Sequence, residues 1–206
     1  MARLKAFDED RALDLAVDQF WSRGYETTSV RDLANAMGIG GASLYNAYGD
    51  KRELFVRALE RYANRSMRER VARIEARCKP KEAIGAFLTE IIDRSVKDAD
   101  CKGCLLVNTA LDVAPHDPEI DKLVAGYLSE IQSFFKRNLE SARRASQVPK
   151  GIDPEALSAH LLGIVLGVRV LARTSLKRAS AKRKLLESVV LPALVLLKLP
   201  PRVALD

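Results

Sequence analysis

Groups that can bind nucleic acid are concentrated between Thr27 and Glu53. Hydroxyl, amide and basic side chains alternate there with small residues, and such groups can hydrogen-bond phosphate oxygens and base edges. The candidates are Ser29, Arg31, Gly40, Gly41, Ala42, Ser43, Tyr45, Asn46, Tyr48 and Lys51. The run of small residues would let a flat or concave partner approach closely, so the chemistry this stretch suggests is non-covalent recognition.

Two short helices joined by a glycine turn are predicted to carry these groups. Ser29 is a good N-cap for a helix beginning at Val30, and Asp32 stands where it can complete a capping box. Gly38 is expected to end that helix, and a second short helix follows over residues 41–47. Helix, turn and helix over about residues 29–48 form the helix-turn-helix layout.

Flanking patterns define the unit that holds this motif. Asp8 can cap a helix over residues 9–23, and Asp50 with Glu53 begins a long helix over residues 51–77. Lys79-Pro80 breaks the pattern. We therefore expect a DNA-binding domain at residues 1–50, a connecting helix at 51–77, and a second domain at 78–206.

Three candidate contacts have alternative roles. Tyr45 and Tyr48 could bind phosphate at the groove edge or fill the core beneath the turn. Lys51, at a helix start, could contact a phosphate or remain solvated.

The second domain is predicted to be entirely helical, so the fold class is all-α. Helices are expected over residues 81–97, 104–113, 119–146, 154–176 and 181–198. The last two are apolar on more than one face, which a small domain cannot bury alone. We expect them to form a homodimer interface as two hairpins about a twofold axis. The predicted interface residues are Leu161, Val165, Val168, Leu186, Val190 and Leu194.

Four short segments of the N-terminal region give a family resemblance. They are Thr28-Ser29-Val30-Arg31-Asp32-Leu33-Ala34, Met37-Gly38-Ile39, Ser43-Leu44-Tyr45 and Tyr48-Gly49-Asp50-Lys51. Together they resemble the DNA-binding signature of the tetracycline-repressor (TetR) family. Members often have Ser or Thr where this chain has Gly40, and Lys where it has Gly41. The departure removes a usual N-cap and a usual phosphate contact, so recognition should depend more on backbone amides, Ser43, Tyr45 and Asn46.

The resemblance implies a regulator that binds a pseudopalindromic double-stranded operator as a dimer and is released by a small-molecule effector. It places the effector pocket among the helices between Ala83 and Leu171. The candidate lining residues are Phe87, Ile91, Cys104, Asn108, Tyr127 and Leu166. An architectural DNA-binding protein without a ligand is the alternative function.

Cys104 and Asn108 are four residues apart, so they share one face of a short apolar helix. They could be a core cysteine and an asparagine bonded to backbone, or part of the pocket, since similar Gly-Cys-Leu-Leu segments begin a helix beside the pocket in one branch of the family. A further alternative is an electrophile or redox sensor at Cys104, with Lys102 as the nearby cation.

Composition argues against several other classes. The net charge is +7, but residues 1–70 contain 12 basic and 11 acidic residues, so the excess lies outside the DNA-binding part. The densest basic run, from Arg169 to Lys184, is interpreted as a solvated helix end and loop. Zinc-protease, paired-cysteine zinc and phosphate-loop motifs are missing from the sequence, so we expect no enzyme, metal or cofactor.

No apolar run suggests a membrane span, and the N-terminus does not resemble a signal peptide, so a cytoplasmic protein is expected. The effector, the operator sequence and the direction of regulation cannot be inferred from the sequence.

Overall fold

A computed structural model of the chain describes residues 7–174 and 179–203, and within them every regular element is a helix. The predicted all-α class is confirmed.

Three helices form an N-terminal head. They are α1 (Glu9–Arg23), α2 (Val30–Met37) and α3 (Gly41–Tyr48). Asp8 caps α1 through the backbone N–H of Arg11, as the sequence predicts. The rings of Phe20 and Phe55 meet edge to face with centroids 4.9 Å apart, so the next helix closes the core of the head.

The chain is helical without a break from residue 51 to residue 77. It comprises α4 (Lys51–Ala63), a π-helical turn (Asn64–Arg68) and α5 (Glu69–Arg77). Asp50 and Glu53 form the predicted capping box at its start. The π-helical turn was not predicted, and such turns are frequent at functional sites.

Five helices make up the second domain. They are α6 (Pro80–Lys97), α7 (Leu105–Asp112), α8 (Pro118–Arg144), α9 (Pro154–Leu171) and α10 (Ala179–Leu196), with a 3-10 turn at Ala114–His116. Helix α8 lies along α9, and α6 packs against α8, α9 and α10. The rings of Phe87, Phe134 and Phe135 form a buried cluster with centroids 5.0–5.4 Å apart.

Helix α9 differs from the sequence prediction in two respects. It ends at Leu171, and the predicted end at Leu176 lies outside the described residues. It is also long and apolar enough, by length and composition alone, to span a membrane. We interpret it as a core helix because it packs against α6, α8 and α10.

A charged contact joins the connecting helix to the second domain. The Arg52 guanidinium donates from Nε and Nη2 to the two carboxylate oxygens of Asp117, at 2.6 and 2.9 Å. The same Nη2 donates to Glu119 at 2.6 Å. Asp117 also caps α8 by accepting from the backbone N–H groups of Glu119 and Ile120. The start of α4 is therefore fixed to the start of α8 by a two-pronged ion pair.

Candidate nucleic-acid interface and effector cavity

The turn between α2 and α3 sets the direction of the second helix. Gly38 adopts a left-handed conformation (φ 68°), and the N–H of Ile39 donates to Ala34 across the turn at 3.1 Å. Leu44 of α3 is fully buried against the head. The opposite side of α3 therefore faces away from the protein.

The outward side of α3 carries most of the predicted recognition residues. Tyr45 is 54% exposed. The others exposed there are Gly40, Gly41, Ala42, Ser43 and Asn46. Gly40 provides no side-chain cap, so the first N–H groups of α3 have no side-chain acceptor. Backbone amides at a helix N-terminus are well suited to bind phosphate.

The packing of the head does not require a glycine at position 41. A Cβ at this position would meet no atom within 4 Å, and at Gly40 it would meet only the Ser43 hydroxyl at 4.0 Å. The space in front of the α3 N-terminus is therefore open for an approaching backbone.

Ser29 and Arg31 lie at the exposed start of α2. The Ser29 hydroxyl accepts from the N–H of Asp32 at 3.1 Å and donates to its carboxylate at 2.6 Å. That carboxylate also accepts from the N–H of Ser29 at 3.0 Å, and the two bonds that the carboxylate accepts lower the pKa of Asp32. The predicted capping box is confirmed. Because both hydrogen-bonding roles of the Ser29 hydroxyl are occupied in the cap, Arg31 is the freer of the two predicted contacts.

Tyr48 is not a DNA contact, and the structure supports its alternative role in the core. Its side chain is 2% exposed, and its hydroxyl donates to the carbonyl of Glu9 at 3.0 Å. Tyr48 therefore fills the core beneath the turn and ties α3 to α1, because the last turn of α3 points inward.

Lys51 stands next to the surface that α3 forms. Its Nζ lies 4.3 Å from the centroid of the Tyr25 ring, and the residue is half-buried. This cation–π contact directs the side chain across the head.

A small cavity lies between the connecting helix and α6, α7, α8 and α9. Four predicted residues line it, namely Phe87, Ile91, Cys104 and Leu166. Its volume is about 30 Å³, which is enough for a water molecule but not for an organic molecule. Ser66 and Met67 of the π-helical turn form part of its wall.

Two predicted pocket residues do not line this cavity. Asn108 is turned toward the preceding loop, where its Nδ2 donates to the carbonyl of Lys102 at 3.0 Å. Tyr127 lies on the other side of α8, under the guanidinium of Arg68 and beside a separate surface groove. The sequence places both residues on helices, but it does not show toward which neighbour each side chain points.

Besides Ser66, three polar residues in the cavity wall were not predicted. Arg70 is 4% and Arg169 is 8% exposed, and the Tyr62 hydroxyl lies close to Cys104. Burial raises the pKa of Tyr62 well above its ordinary value, so its hydroxyl remains protonated. The sequence did contain a signal for the burial of the two arginines. Arg70 follows Met67 by three residues and precedes Ile74 by four, and Arg169 follows Val165 by four, so both arginines fall on apolar stripes.

The interpretation of the Arg169–Lys184 run as a solvated surface is wrong for Arg169 and for Lys182, which is 3% exposed. Lys177 and Arg178 lie outside the described residues. The ammonium of Lys182 is 3.5 Å from the sulfur of Cys101. Lys102, expected to accompany Cys104, instead has its Nζ 4.6 Å from the centroid of the Trp21 ring.

The predicted interface residues also require correction. Leu161, Val165, Val168, Leu186, Val190 and Leu194 are each at most 4% exposed within a single chain. They hold α9 and α10 to the core of their own domain and are not available to a partner. The large apolar side chains that α9 and α10 leave exposed are Val170, Leu185, Leu191, Val195 and Leu196.

Two family models match the chain. Residues 12–58 match the model described as "Bacterial regulatory proteins, tetR family". Residues 80–185 match that of "Tetracyclin repressor-like, C-terminal domain".

Similar proteins extend over most of the chain. The uncharacterized HTH-type transcriptional regulator YezE of Bacillus subtilis is 31% identical over 85% of this chain and 91% of its own. The HTH-type transcriptional repressor ComR of Escherichia coli is 28% identical over 83% and 82% of the two chains. A solved structure of the TetR family regulator CifR, a cysteine mutant complexed with 26-base-pair operator DNA, is 29% identical. It covers 91% of this chain and 98% of its own, with a TM-score of 0.80. The chain therefore belongs to the TetR family of bacterial transcriptional regulators.

Proposed function

We propose that this regulator is a repressor that binds a pseudopalindromic operator as a homodimer and leaves it when a small molecule enters the second domain. It acts by binding and not by catalysis, and it works in the cytoplasm. The observation that carries the proposal is the exposed side of α3, whose polar groups have no role in holding the head together. The operator complex of the similar regulator CifR supports it.

Recognition divides between the two ends of α3. At its N-terminus, the uncapped amides and the open space at Gly41 suit close contact with the DNA backbone. Farther along, Tyr45 and Asn46 project into solvent, and an asparagine amide can form two hydrogen bonds with adenine in the major groove. Arg31 and Lys51 add charge at the flanks, where phosphates lie.

The homodimer forms through the outward side of α9 and α10. Val170, Leu191 and Val195 are 47%, 42% and 64% exposed there. Gly163 and Gly167 precede Val170 at helical spacing, and a Cβ at either would meet no atom within 4 Å. Small residues beside exposed apolar ones allow two helices to cross closely, so α9 and α10 of two chains can build a four-helix contact.

Release depends on the connecting helix, which forms part of both sites. Met67 and Ser66 line the cavity, while Lys51 at the other end of the same helical run stands beside the DNA surface. Since the cavity is too small for an organic effector, an effector must displace its walls. Movement of the connecting helix, which Arg52 and Asp117 fix to α8, would then change the position of the head.

Two substitutions test the recognition surface on an operator selected from random DNA. Lys51→Ala should weaken binding to every sequence alike and reduce the salt slope by about two, because each chain of the dimer loses one phosphate contact. Asn46→Ala should relax preference at one base pair in each half-site, at a cost of about 1–3 kcal/mol per half-site. Equal, sequence-independent losses from both would show that Asn46 does not read a base.

The electrophile or redox alternative depends on Cys104, which lines the cavity. It predicts that an oxidant or alkylating agent releases wild type from the operator and does not release Cys104→Ser. Equal release of both proteins would exclude Cys104 as the sensor.

A further inference from the structure

Arg70 is a buried cation with unused hydrogen-bond donors. It is 4% exposed, and its Nε and Nη2 have no hydrogen-bond acceptor among the described residues. A guanidinium in this position has lost its hydration without regaining full partners in the protein, which is energetically unfavourable.

Charges around Arg70 do not balance it. The nearest carboxylate, Glu90, lies 3.5 Å from Nε, but its two oxygens accept from Arg73 at 2.7 and 2.9 Å. Arg94 and Arg169 are both close enough to repel Arg70. Burial, reinforced by this repulsion, lowers the pKa of Arg70 to about 9. The cluster thus contains four arginines and one glutamate.

Arg169 brings a second guanidinium to the same cavity. It is 8% exposed, and its Nη1 donates to the neutral Ser95 hydroxyl at 3.3 Å. No ion pair within residues 7–174 and 179–203 includes Arg169. Both arginines line the cavity between the connecting helix and α9. Two buried cations that line one space favour binding of an anion there, because guanidinium groups pair well with carboxylate and phosphate.

The rest of the cavity wall is mostly apolar. Met67, Ile91, Leu128 and Val165 line it, and Phe87 lies under the Arg70 guanidinium, which is 5.6 Å from its ring centroid. An inorganic anion would leave this apolar wall without a partner, whereas an organic anion would cover it.

We propose that the effector is a small organic carboxylate, with its carboxylate bound by Arg70 and Arg169 and its apolar body packed against Phe87 and Ile91. This inference rests on the proposed function, because it names the effector class for the same regulator. Binding places a negative charge between two cations and pushes Met67 outward, so charge compensation favours the widened cavity and the displaced connecting helix.

Acids and their neutral counterparts test the charge requirement. The probes are butyrate, hexanoate and benzoate, each compared with the amide of the same skeleton, and binding is measured by calorimetry on the full chain without DNA. At least one acid should bind about 10-fold to 100-fold more tightly than its amide, in line with the usual strength of hydrogen bonds to charged groups. Equal binding of acid and amide, or binding by none of the acids, overturns the proposal.

Substitutions locate the site. Arg70→Met and Arg169→Gln should each weaken binding of the acid at least about 10-fold and leave that of the amide unchanged. Arg77→Met is the matched control, because Arg77 is exposed on the same helix. Arg70→Met should also raise the melting temperature of the unliganded protein, since it removes an uncompensated buried charge while keeping the apolar stem. Equal losses in Arg70→Met and Arg77→Met would place the anion elsewhere.

An operator-binding assay distinguishes a failure of the carboxylate proposal from a failure of the proposed function. Wild type and Arg70→Met should bind the selected operator equally without effector, and the acid should release only wild type. Failure of wild type to bind any operator would contradict the proposed function, while calorimetry would still decide whether the arginines bind a carboxylate.

Discussion

Val195→Glu should convert the dimer into monomers. Complete burial of a Val or Leu side chain is worth about 1.5–3 kcal/mol, and 64% of Val195 is still exposed in the single chain. Burying that remainder contributes about 1–2 kcal/mol per chain, and twofold symmetry doubles this to about 2–4 kcal/mol per dimer. The substitution should therefore raise the dissociation constant of the dimer by about 30-fold to 1,000-fold.

Sedimentation velocity over a range of protein concentrations measures this change. Leu111→Glu is the matched control, because Leu111 has the same exposed fraction of 64% but lies on α7, away from the proposed interface. Its dimer should be as stable as that of wild type. Circular dichroism should show unchanged helix content in both variants, since neither side chain is part of the core.

The opposite result would refute the assignment. If Val195→Glu remains dimeric and Leu111→Glu dissociates, the interface includes α7 and not the outward side of α10. Leu194→Glu provides a contrast, because Leu194 is 2% exposed. A buried unpaired charge there should unfold the domain, at a cost of several kcal/mol, instead of giving folded monomers.

Three further predictions concern the DNA surface and its connection to the second domain. Tyr48→Phe should lower the free energy of unfolding by about 0.5–1.5 kcal/mol, because the Tyr48 hydroxyl bonds the Glu9 carbonyl within the head. Tyr45→Phe should weaken DNA binding without changing stability, because Tyr45 is exposed. Thermal melts measure the first effect and fluorescence anisotropy with labelled DNA measures the second. Gly41→Lys should strengthen binding to all DNA sequences and increase the salt slope by about two, because each chain of the dimer gains one lysine in the open space beside the phosphates. An unchanged slope would contradict this. The Arg52 ion pair lowers the pKa of Asp117 from 3.8 to about 2. The stability that this ion pair contributes is therefore fully present above pH 3.8 and is lost as the pH falls through 2. Melting temperatures of wild type and Asp117→Asn should therefore differ by a constant amount above pH 4 and converge near pH 2, and a gap that persists at pH 2 would argue against the pairing.

Local signals in the sequence were sufficient for the architecture. The capping boxes at Ser29 and Asp50 and the stop at Gly38 occur where they were predicted, because each depends on neighbouring residues only. The π-helical turn at residues 64–68 was not predicted, since nothing in its composition separates it from an ordinary helix.

Predictions that required knowledge of three-dimensional neighbours were less successful. Tyr45 and Tyr48 have the same chemistry and lie three residues apart, yet one is exposed and the other buried. The interface residues chosen on α9 and α10 were apolar, and apolarity alone does not distinguish the core of a chain from its contact with a partner. Arg70 and Arg169 were missed because charged residues are assumed to be solvated, although their helical positions indicated burial.

Selection from random double-stranded DNA, followed by sequencing of the bound fraction, tests the central claim most directly. Two α3 helices of a dimer enter successive major grooves about 34 Å apart, so the enriched sequences should be pseudopalindromes with half-site centres about 10 base pairs, or a multiple of one helical turn, apart. Val195→Glu should lose this enrichment, while Leu111→Glu should keep it. Enrichment of a single asymmetric half-site, or of no sequence at all, would contradict the account.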